Sequence, residues 1–505
     1  MSLDYVRIEL LPLGTHLRVK RGTPLQDLLF AHGVEFPCGG RGLCKGCRIK
    51  LIAGSLPITA EDRHKLVTEE LEAGWRLACR AKADTDLRVE LAQWETTILT
   101  DHSVFSFTPR EGLGVAVDLG TTTLVAQLVD LQTGNVLAVR AALNTQATHG
   151  ADIMSRIEFA VSEKGHNVLQ TLIRDQIGEL VAELLRESGT ADKKLASVVI
   201  VGNTVMHHLF CGIDVAPLSE YPFETPSPDL HVSFCDDIGW KLPGNPRVHF
   251  LPCLGGFVGS DILAGVLATE LHKTEKLVAL IDLGTNGELV VGTRDRMLCA
   301  STAAGPAFEG ARISMGMRAA TGAISEVLIQ DGKLACRIFG SGEARGICGS
   351  GLVDAVAAGL DLGLVKPSGR FTQGETLPLV DGVALNQWDV RELQLAKGAI
   401  AAGLVILLEE WGATQNDVET VYLAGAFGNY INQASAKRIG LLDFPPEKIV
   451  PSGNTALLGA KLALFDLDHH HGAYPEILSR ITHFSLKAHP RFQDAYVEHM
   501  TFPAN

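Results

Sequence analysis

Pro37-Cys38-Gly39-Gly40-Arg41-Gly42-Leu43-Cys44-Lys45-Gly46-Cys47 sets three cysteines in a C-x5-C-x2-C spacing, and Arg76-Leu77-Ala78-Cys79-Arg80 supplies a fourth after a gap. Four glycines between Cys38 and Cys47 let the backbone wrap closely and turn its N–H groups toward bound sulfur. Three thiols on one loop and one outlier suit a 2Fe–2S cluster. Structural zinc also accepts four thiolates, but its ligands usually come as two close pairs. The candidate metal ligands are therefore Cys38, Cys44, Cys47 and Cys79.

The flanks read as strand, turn, strand and short helix: residues 5–10 and 16–20 alternate around a turn at 11–15, and 24–32 has helical character. An α+β ferredoxin (β-grasp) domain over residues 1–95 follows from this. Its first cysteine spacing resembles the adrenodoxin-like branch rather than the plant pattern with four. Arg41, Lys45, Arg48 and Lys50 lie near the loop with no acidic residue among them. Such a window would raise the cluster's potential and offer a basic docking face, or simply be a solvated surface.

Composition frames the rest. The chain has 505 residues, 46% apolar and 20% charged, which is globular and long enough for several cores. The net charge of −14 argues against a nucleic-acid partner. It is unevenly spread: residues 1–95 hold 14 Lys and Arg against 13 Asp and Glu, so the body carries the acid. No membrane span is expected, because the apolar stretch 398–408 is about half the roughly 20 residues a bilayer requires. No secretory signal is apparent at the start, so a cytoplasmic location is expected. Cys211, Cys235, Cys253, Cys299, Cys336 and Cys348 lack ligand spacing and read as ordinary core residues.

After a linker at 96–111, expected to let the ferredoxin domain move, residues 114–118 (GVAVD) run into Leu119-Gly120-Thr121-Thr122-Thr123 and a second strand at 124–130. Near-duplicate chemistry returns 164 positions later, where 278–281 leads into Asp282-Leu283-Gly284-Thr285-Asn286-Gly287 and a strand at 288–291. Each unit ends an apolar strand on a carboxylate and points a Gly/Thr turn at an anion. Facing each other, the two would grip polyphosphate and Mg2+. A third stretch, Val421-Tyr422-Leu423-Ala424 into Gly425-Ala426-Phe427-Gly428-Asn429, offers glycines for flat contact with adenosine. No P-loop or dinucleotide fingerprint competes.

These three stretches resemble the phosphate and adenosine motifs of the actin, sugar-kinase and heat-shock-chaperone ATPase superfamily. The resemblance implies an α/β actin-like ATPase fold of two lobes: lobe I at 112–260, and lobe II at 261–505 with the return of the chain and the adenosine motif. It also implies ATP and Mg2+ as ligands and a connecting helix in the Gly/Ala-rich stretch 349–360. Catalytic roles would fall to Asp118 and Asp282, phosphate binding to Gly120, Thr121, Thr122, Thr123, Gly284, Thr285 and Asn286, and adenosine binding to Gly425, Ala426 and Gly428.

A ferredoxin domain joined to this fold resembles the reductive activators of corrinoid proteins. Residues 144–157 (NTQATHGADIMSRI), 202–208 (GNTVMHH) and 301–310 (STAAGPAFEG) carry the resemblance, as does the ending from Phe492-Gln493-Asp494 to Phe502-Pro503. It implies ATP-dependent reduction of inactive Co(II) to Co(I) in the corrinoid protein of a methyltransferase system, through a 2Fe–2S cluster. The electron would come from an upstream flavodoxin, ferredoxin or reductase. A homodimer is compatible, although the segment some relatives carry between the two parts is replaced here by a short linker.

Two other classes stay open: a small-molecule kinase with a redox-sensing ferredoxin domain, and a plain electron carrier with an inactive ATPase body. Asp152 and Arg156, four apart on an expected helix, could form a local ion pair or serve function. Asp261 and Glu309 sit in glycine-rich stretches that could line the same cleft or simply pack. His207 and the His469-His470-His471 run look like metal ligands only superficially.

Overall fold

The computed structural model describes residues 5–11, 14–30, 32, 34, 42, 45, 47–91, 106–150, 152–162, 164–190, 193–310, 312–340, 343–466 and 473–504. Cys38, Cys44, most of the expected linker and the His469–His471 run lie outside the described residues. The described chain forms two compact units, one of residues 1–97 with 306–394 and 504–505, the other of 98–305 with 395–503.

The first unit contains a five-stranded sheet in the order Thr15–Lys20, Tyr5–Leu11, Leu87–Leu91, Arg48–Ala53, Trp75–Leu77. Strand Tyr5–Leu11 alternates sides, burying Val6, Ile8 and Leu10, as period-2 patterning requires. It pairs parallel with Leu87–Leu91, which is the β-grasp arrangement. Segment 306–394 adds strands Ala323–Gln330 and Lys333–Ile338 and helix Gly349–Asp361. The stretch expected to connect the lobes is helical, as its glycine and alanine content suggests, and one of its glycines packs on a strand. Gly351 lies against strand Ala323–Gln330, where a Cβ would stand 2.2 Å from the Ile324 carbonyl. Arg345 fastens the ferredoxin sheet to this segment: Nη1 donates to the Leu91 carbonyl at 3.0 Å and Nη2 meets Glu90 Oε1 at 2.5 Å. The ferredoxin sheet thus has a seat within its unit.

The second unit holds two sheets of matching design. One runs Val136–Leu143, Thr123–Asp130, Leu113–Leu119, Leu195–Gly202, Arg247–Phe250, His231–Phe234. The other runs Ile481–His483, Met297–Thr302, Gly287–Gly292, Val278–Leu283, Thr420–Ala424, Ile449–Gly453. In each, five strands share one order, three antiparallel and then two parallel, while the sixth is an edge strand, His231–Phe234 antiparallel in the first sheet and Ile481–His483 parallel in the second. This duplicated order is the actin-like ATPase fold. The central strands are apolar on both faces because helices cover both sides. Helices Ser260–Ala268 and Thr455–Asp466 cross closely, since a Cβ on Gly459 would stand 2.1 Å from the Ala264 carbonyl. The close crossing of small residues is found here. Pattern alone points instead to the more glycine-rich 349–361, whose Gly351 packs on a strand.

The described end of the expected linker packs on this unit: the Phe107 ring lies 4.6 Å from that of Phe465, tilted by 41°, and Arg110 N–H donates to the Leu131 carbonyl at 2.9 Å. Among the described residues no helix is long and apolar enough to cross a membrane.

Candidate functional site

The hairpin between Leu113–Leu119 and Thr123–Asp130 closes tightly, with Gly120 N–H donating to the Thr123 carbonyl at 3.0 Å. A Cβ on Gly120 would stand 2.6 Å from that oxygen, so only glycine fits. Asp118 sits at the strand end, half-buried. Thr121 is buried, and its hydroxyl accepts from Asn203 Nδ2 at 2.9 Å. The second hairpin closes by Gly284 N–H to the Asn286 carbonyl at 3.0 Å, with Thr285 between them. Asp282 ends strand Val278–Leu283 directly opposite Glu288.

The adenosine motif lies against this second hairpin. Ala424 pairs with Asp282, and helix Gly425–Tyr430 starts at once, taking in Ala426 and Gly428. Gly425 has φ +84°, and a Cβ there would stand 2.5 Å from Asp282 Oδ1. Its missing side chain therefore leaves room for the carboxylate. Gly428 is small for a different reason, since its Cβ position falls 3.1 Å from Leu423 Cγ in the preceding strand.

Three residues that pattern reading left without a firm role complete the site. Asn454 precedes helix Thr455–Asp466, accepts Leu457 N–H at 2.8 Å and donates from Nδ2 to Asp118 Oδ2 at 2.9 Å. Asp261 stands in the first turn of helix Ser260–Ala268. Glu288 accepts from Ser301 Oγ at 3.3 Å. Glycine and asparagine after a strand, as in Ser452-Gly453-Asn454-Thr455, would have flagged Asn454. Glu309 belongs to the other compact unit.

The electrostatics tie these carboxylates together. Burial raises Asp118 to about 6, eased by the Asn454 hydrogen bond. Burial and then the charges of Asp282 and Asp118 raise Asp261 to about 7. Burial and the Asp118 charge raise Asp282 to about 7. Burial, Asp261 and Asp282 push Glu288 well above its ordinary value. Four mutually repelling carboxylates with no protein cation among these causes suit a divalent cation. Among the described residues no three His, Cys, Asp or Glu converge tightly enough to hold a metal alone. Mg2+ binds through one or two carboxylates together with waters and phosphate oxygens, and these carboxylates offer such partial ligands.

His207 and His208 are buried with their Nδ1 atoms 3.2 Å apart. Burial lowers them to about 3 and about 4, with His208 also depressing His207, so both stay neutral core groups at ordinary pH. Asp152 caps helix Ile153–Ala160, accepting Ser155 N–H at 2.8 Å.

In the ferredoxin domain Cys79 lies in the turn Ala78–Arg80. Ala78 N–H donates to the Cys47 carbonyl at 2.9 Å, bringing these two cysteine segments side by side. Buried Asp62 closes the capping box of helix Ala60–Lys65 by accepting the Thr59 N–H at 2.8 Å, and its other oxygen accepts Leu77 N–H at 2.8 Å, which fixes the Cys79 turn from behind. Gly42 has φ +71°, and its Cβ position falls 2.9 Å from Glu61 Cγ. The described thiols thus sit in the constricted backbone a thiolate cluster needs, and the donor set is chemically apt. The basic window is not a bare positive face: Glu70 bonds Lys45 at 2.9 Å and Arg48 at 3.1 Å. An acid from outside the window neutralises two of its four cations. Among the scattered cysteines, Cys211, Cys235, Cys253, Cys299 and Cys348 are buried and Cys336 is half-buried.

Three family models match the chain: a 2Fe-2S iron-sulfur cluster binding domain over residues 8–84, the RACo middle region over 113–274, and the C-terminal ASKHA domain of RACo over 276–505. A corrinoid activation enzyme, RamQ, from Eubacterium limosum is 36% identical over 433 residues, covering 78% of this chain and 70% of its own. A Co(II) methylated amine-specific corrinoid protein reductase from Methanosarcina barkeri is 29% identical over 426 residues, covering 77% of each. The solved structure of a reductive activator for a corrinoid, iron–sulfur protein superposes with TM-score 0.70 at 26% identity, covering 99% of this chain and 98% of that one. By fold, by domain order and by this similarity, the chain belongs to the RACo family of corrinoid activation enzymes.

Proposed function

We propose that this protein couples ATP binding and hydrolysis to one-electron reduction of a partner protein's Co(II) corrinoid to Co(I), in support of a corrinoid-dependent methyltransferase system. The carrying observation is that one chain joins a 2Fe-2S cluster binding domain to a paired-hairpin site lined by four carboxylates, within a family named for corrinoid activation. Cys38, Cys44, Cys47 and Cys79 hold the cluster in this reading. Asp118 and Asp282 orient Mg2+ and the attacking water. The turns at 120–123 and 284–286 bind phosphates, and the segment from Gly425 to Gly428 receives adenosine.

When bound, the cluster supplies a one-electron store and Mg2+ offsets phosphate charge. A thiolate-ligated cluster alone is too weak a reductant for the Co(II)/Co(I) step. ATP supplies the difference only by stabilising a state of the complex that treats the two cobalt oxidation states differently. An upstream flavodoxin, ferredoxin or reductase provides the electron, the work proceeds in the cytoplasm, and a homodimer is compatible with it.

The test is Co(I) formation followed by absorbance with a Co(II) corrinoid protein, reductant and ATP. Asp282→Asn should leave cluster absorbance unchanged and cut ATP-driven Co(I) formation by on the order of 100-fold or more. Native-rate activation by that variant, or equal Co(I) yield without ATP, would favour a plain carrier. Phosphorylation of a small hydroxyl acceptor would favour a kinase.

A further inference from the structure

Arg156 heads the fully buried side chains of the described residues, with no exposed surface. Asp152, one turn earlier, spends its carboxylate on the helix cap and acts on Arg156 only through space. The guanidinium contacts are all to neutral groups: Nε donates to the Gly150 carbonyl at 2.8 Å, Nη1 to Gln146 Oε1 at 3.2 Å and Met206 Sδ at 3.4 Å, and Nη2 to the Thr121 carbonyl. Burying a cation without a direct ion pair is costly, so a guanidinium that meets Asp152 only through space favours a further anion nearby. Thr121 lies in the turn of the first hairpin.

The same turn is gripped twice more from the Arg156 side. Asn144 Nδ2 donates to the Gly120 carbonyl at 2.9 Å, and Asn144 N–H donates to the Thr122 carbonyl at 2.8 Å. Three consecutive carbonyls are thus engaged by donors from segment 144–156. In a trans peptide the C=O and the following N–H point in opposite senses. Holding the carbonyls of Gly120, Thr121 and Thr122 therefore aims the N–H groups of Thr121, Thr122 and Thr123 the other way. A cationic hydrogen bond to a carbonyl also polarises its peptide, making the N–H on the far side a better donor.

We propose that Arg156 is a positioning residue for polyphosphate: a buried counter-charge that acts through the Thr121–Thr122 peptide instead of touching the ligand. This rests on the nucleotide reading above and adds to it the source of positive charge for the first hairpin. Burial lowers the Arg156 pKa to about 9, partly opposed by Asp152, so it remains charged at neutral pH.

Calorimetric titration of the full-length protein with ATP, ADP and adenosine tests it, alongside Tm, for wild type, Arg156→Gln and Arg156→Lys. Arg156→Gln should weaken ATP on the order of 10- to 100-fold, as expected for losing a charge-assisted hydrogen bond, and adenosine less than threefold. Arg156→Lys, which keeps charge but not the fork, should recover part of the ATP affinity even where its Tm is no higher than that of Arg156→Gln. Equal weakening by both variants, or equal loss of ATP and adenosine, would mean a structural brace only and overturns the inference. If Arg156→Gln does not fold, Arg156→Lys alone decides: ATP should weaken severalfold with adenosine unchanged, and equal losses refute. A wild type that binds ATP tightly yet never produces Co(I) sinks the activase reading while leaving this one standing. A wild type that binds ATP no better than adenosine overturns this one.

Discussion

Asn454 Nδ2 donates to Asp118 Oδ2 at 2.9 Å across 336 residues of chain. Asp118 ends the central strand of one sheet. Asn454 follows the last parallel strand of the other and starts the helix behind it. One side chain therefore caps a helix and orients a candidate catalytic carboxylate from the opposite sheet. Asn454→Ala should cost about 1 kcal/mol or more as a lost cap. It should also raise the Asp118 pKa above about 6, because the bond that eases the carboxylate is gone. A pH profile of ATP hydrolysis should show its acid limb displaced upward, while Tm falls only modestly.

The carboxylate group makes stability depend on pH in a stated direction. Asp118, Asp261 and Asp282 are raised from 3.8 to about 6, 7 and 7 in the folded protein, each chiefly by burial. Between about pH 4 and 7 the folded state therefore holds more protons than the unfolded chain, and stability falls as pH rises through that window. Mg2+ with ATP should offset this, so its gain in Tm should be larger at pH 8 than at pH 5. Thermal scans showing the same gain at both would contradict it.

Gly425→Ala should be far more harmful than its size suggests. The new methyl would meet Asp282 Oδ1 at 2.5 Å and the Leu283 carbonyl at 2.6 Å, on a backbone with φ +84°. Nucleotide binding should fall at least tenfold while the visible spectrum of the cluster stays intact. Gly428→Ala meets a side chain at 3.1 Å and should be much milder.

Glu70→Gln should loosen the cluster domain. Burial alone would raise the Glu70 pKa, but hydrogen bonds from Lys45 and Val67 N–H and the charges of Lys45 and Arg48 lower it below 4.5. A carboxylate depressed on folding contributes stability that is present above its unfolded pKa and lost as pH falls through the folded value. The variant should bleach its cluster at a temperature about 2–4 °C lower at pH 7, with the gap closing under acid.

Iron analysis should return two irons per chain, and Cys79→Ala should abolish the visible absorbance. Cys211→Ala should retain it, since burial pushes that thiol far up and leaves it a core group. Zinc in place of iron would sink the cluster assignment.

The sequence by itself determined what depends on neighbours along the chain. The two Asp-Leu-Gly-Thr hairpins, the four cysteines and the strand before Gly425 are local patterns, because a strand, its turn and the residue ending it are encoded contiguously. Only the tertiary structure decided which distant groups meet. Asn454 reaches Asp118, Glu70 neutralises Lys45 and Arg48, and Arg156 grips Thr121 from behind the turn. It also decided which helices cross closely, since the single Gly459 of one helix meets the Ala264 carbonyl of another while Gly351 of the more glycine-rich helix packs against Ile324 of a strand. The physical reason is common to all of these: a carboxylate's partner, a buried cation's acceptors and a glycine's opposing surface are set by strand order and helix packing, and no spacing along the chain encodes them.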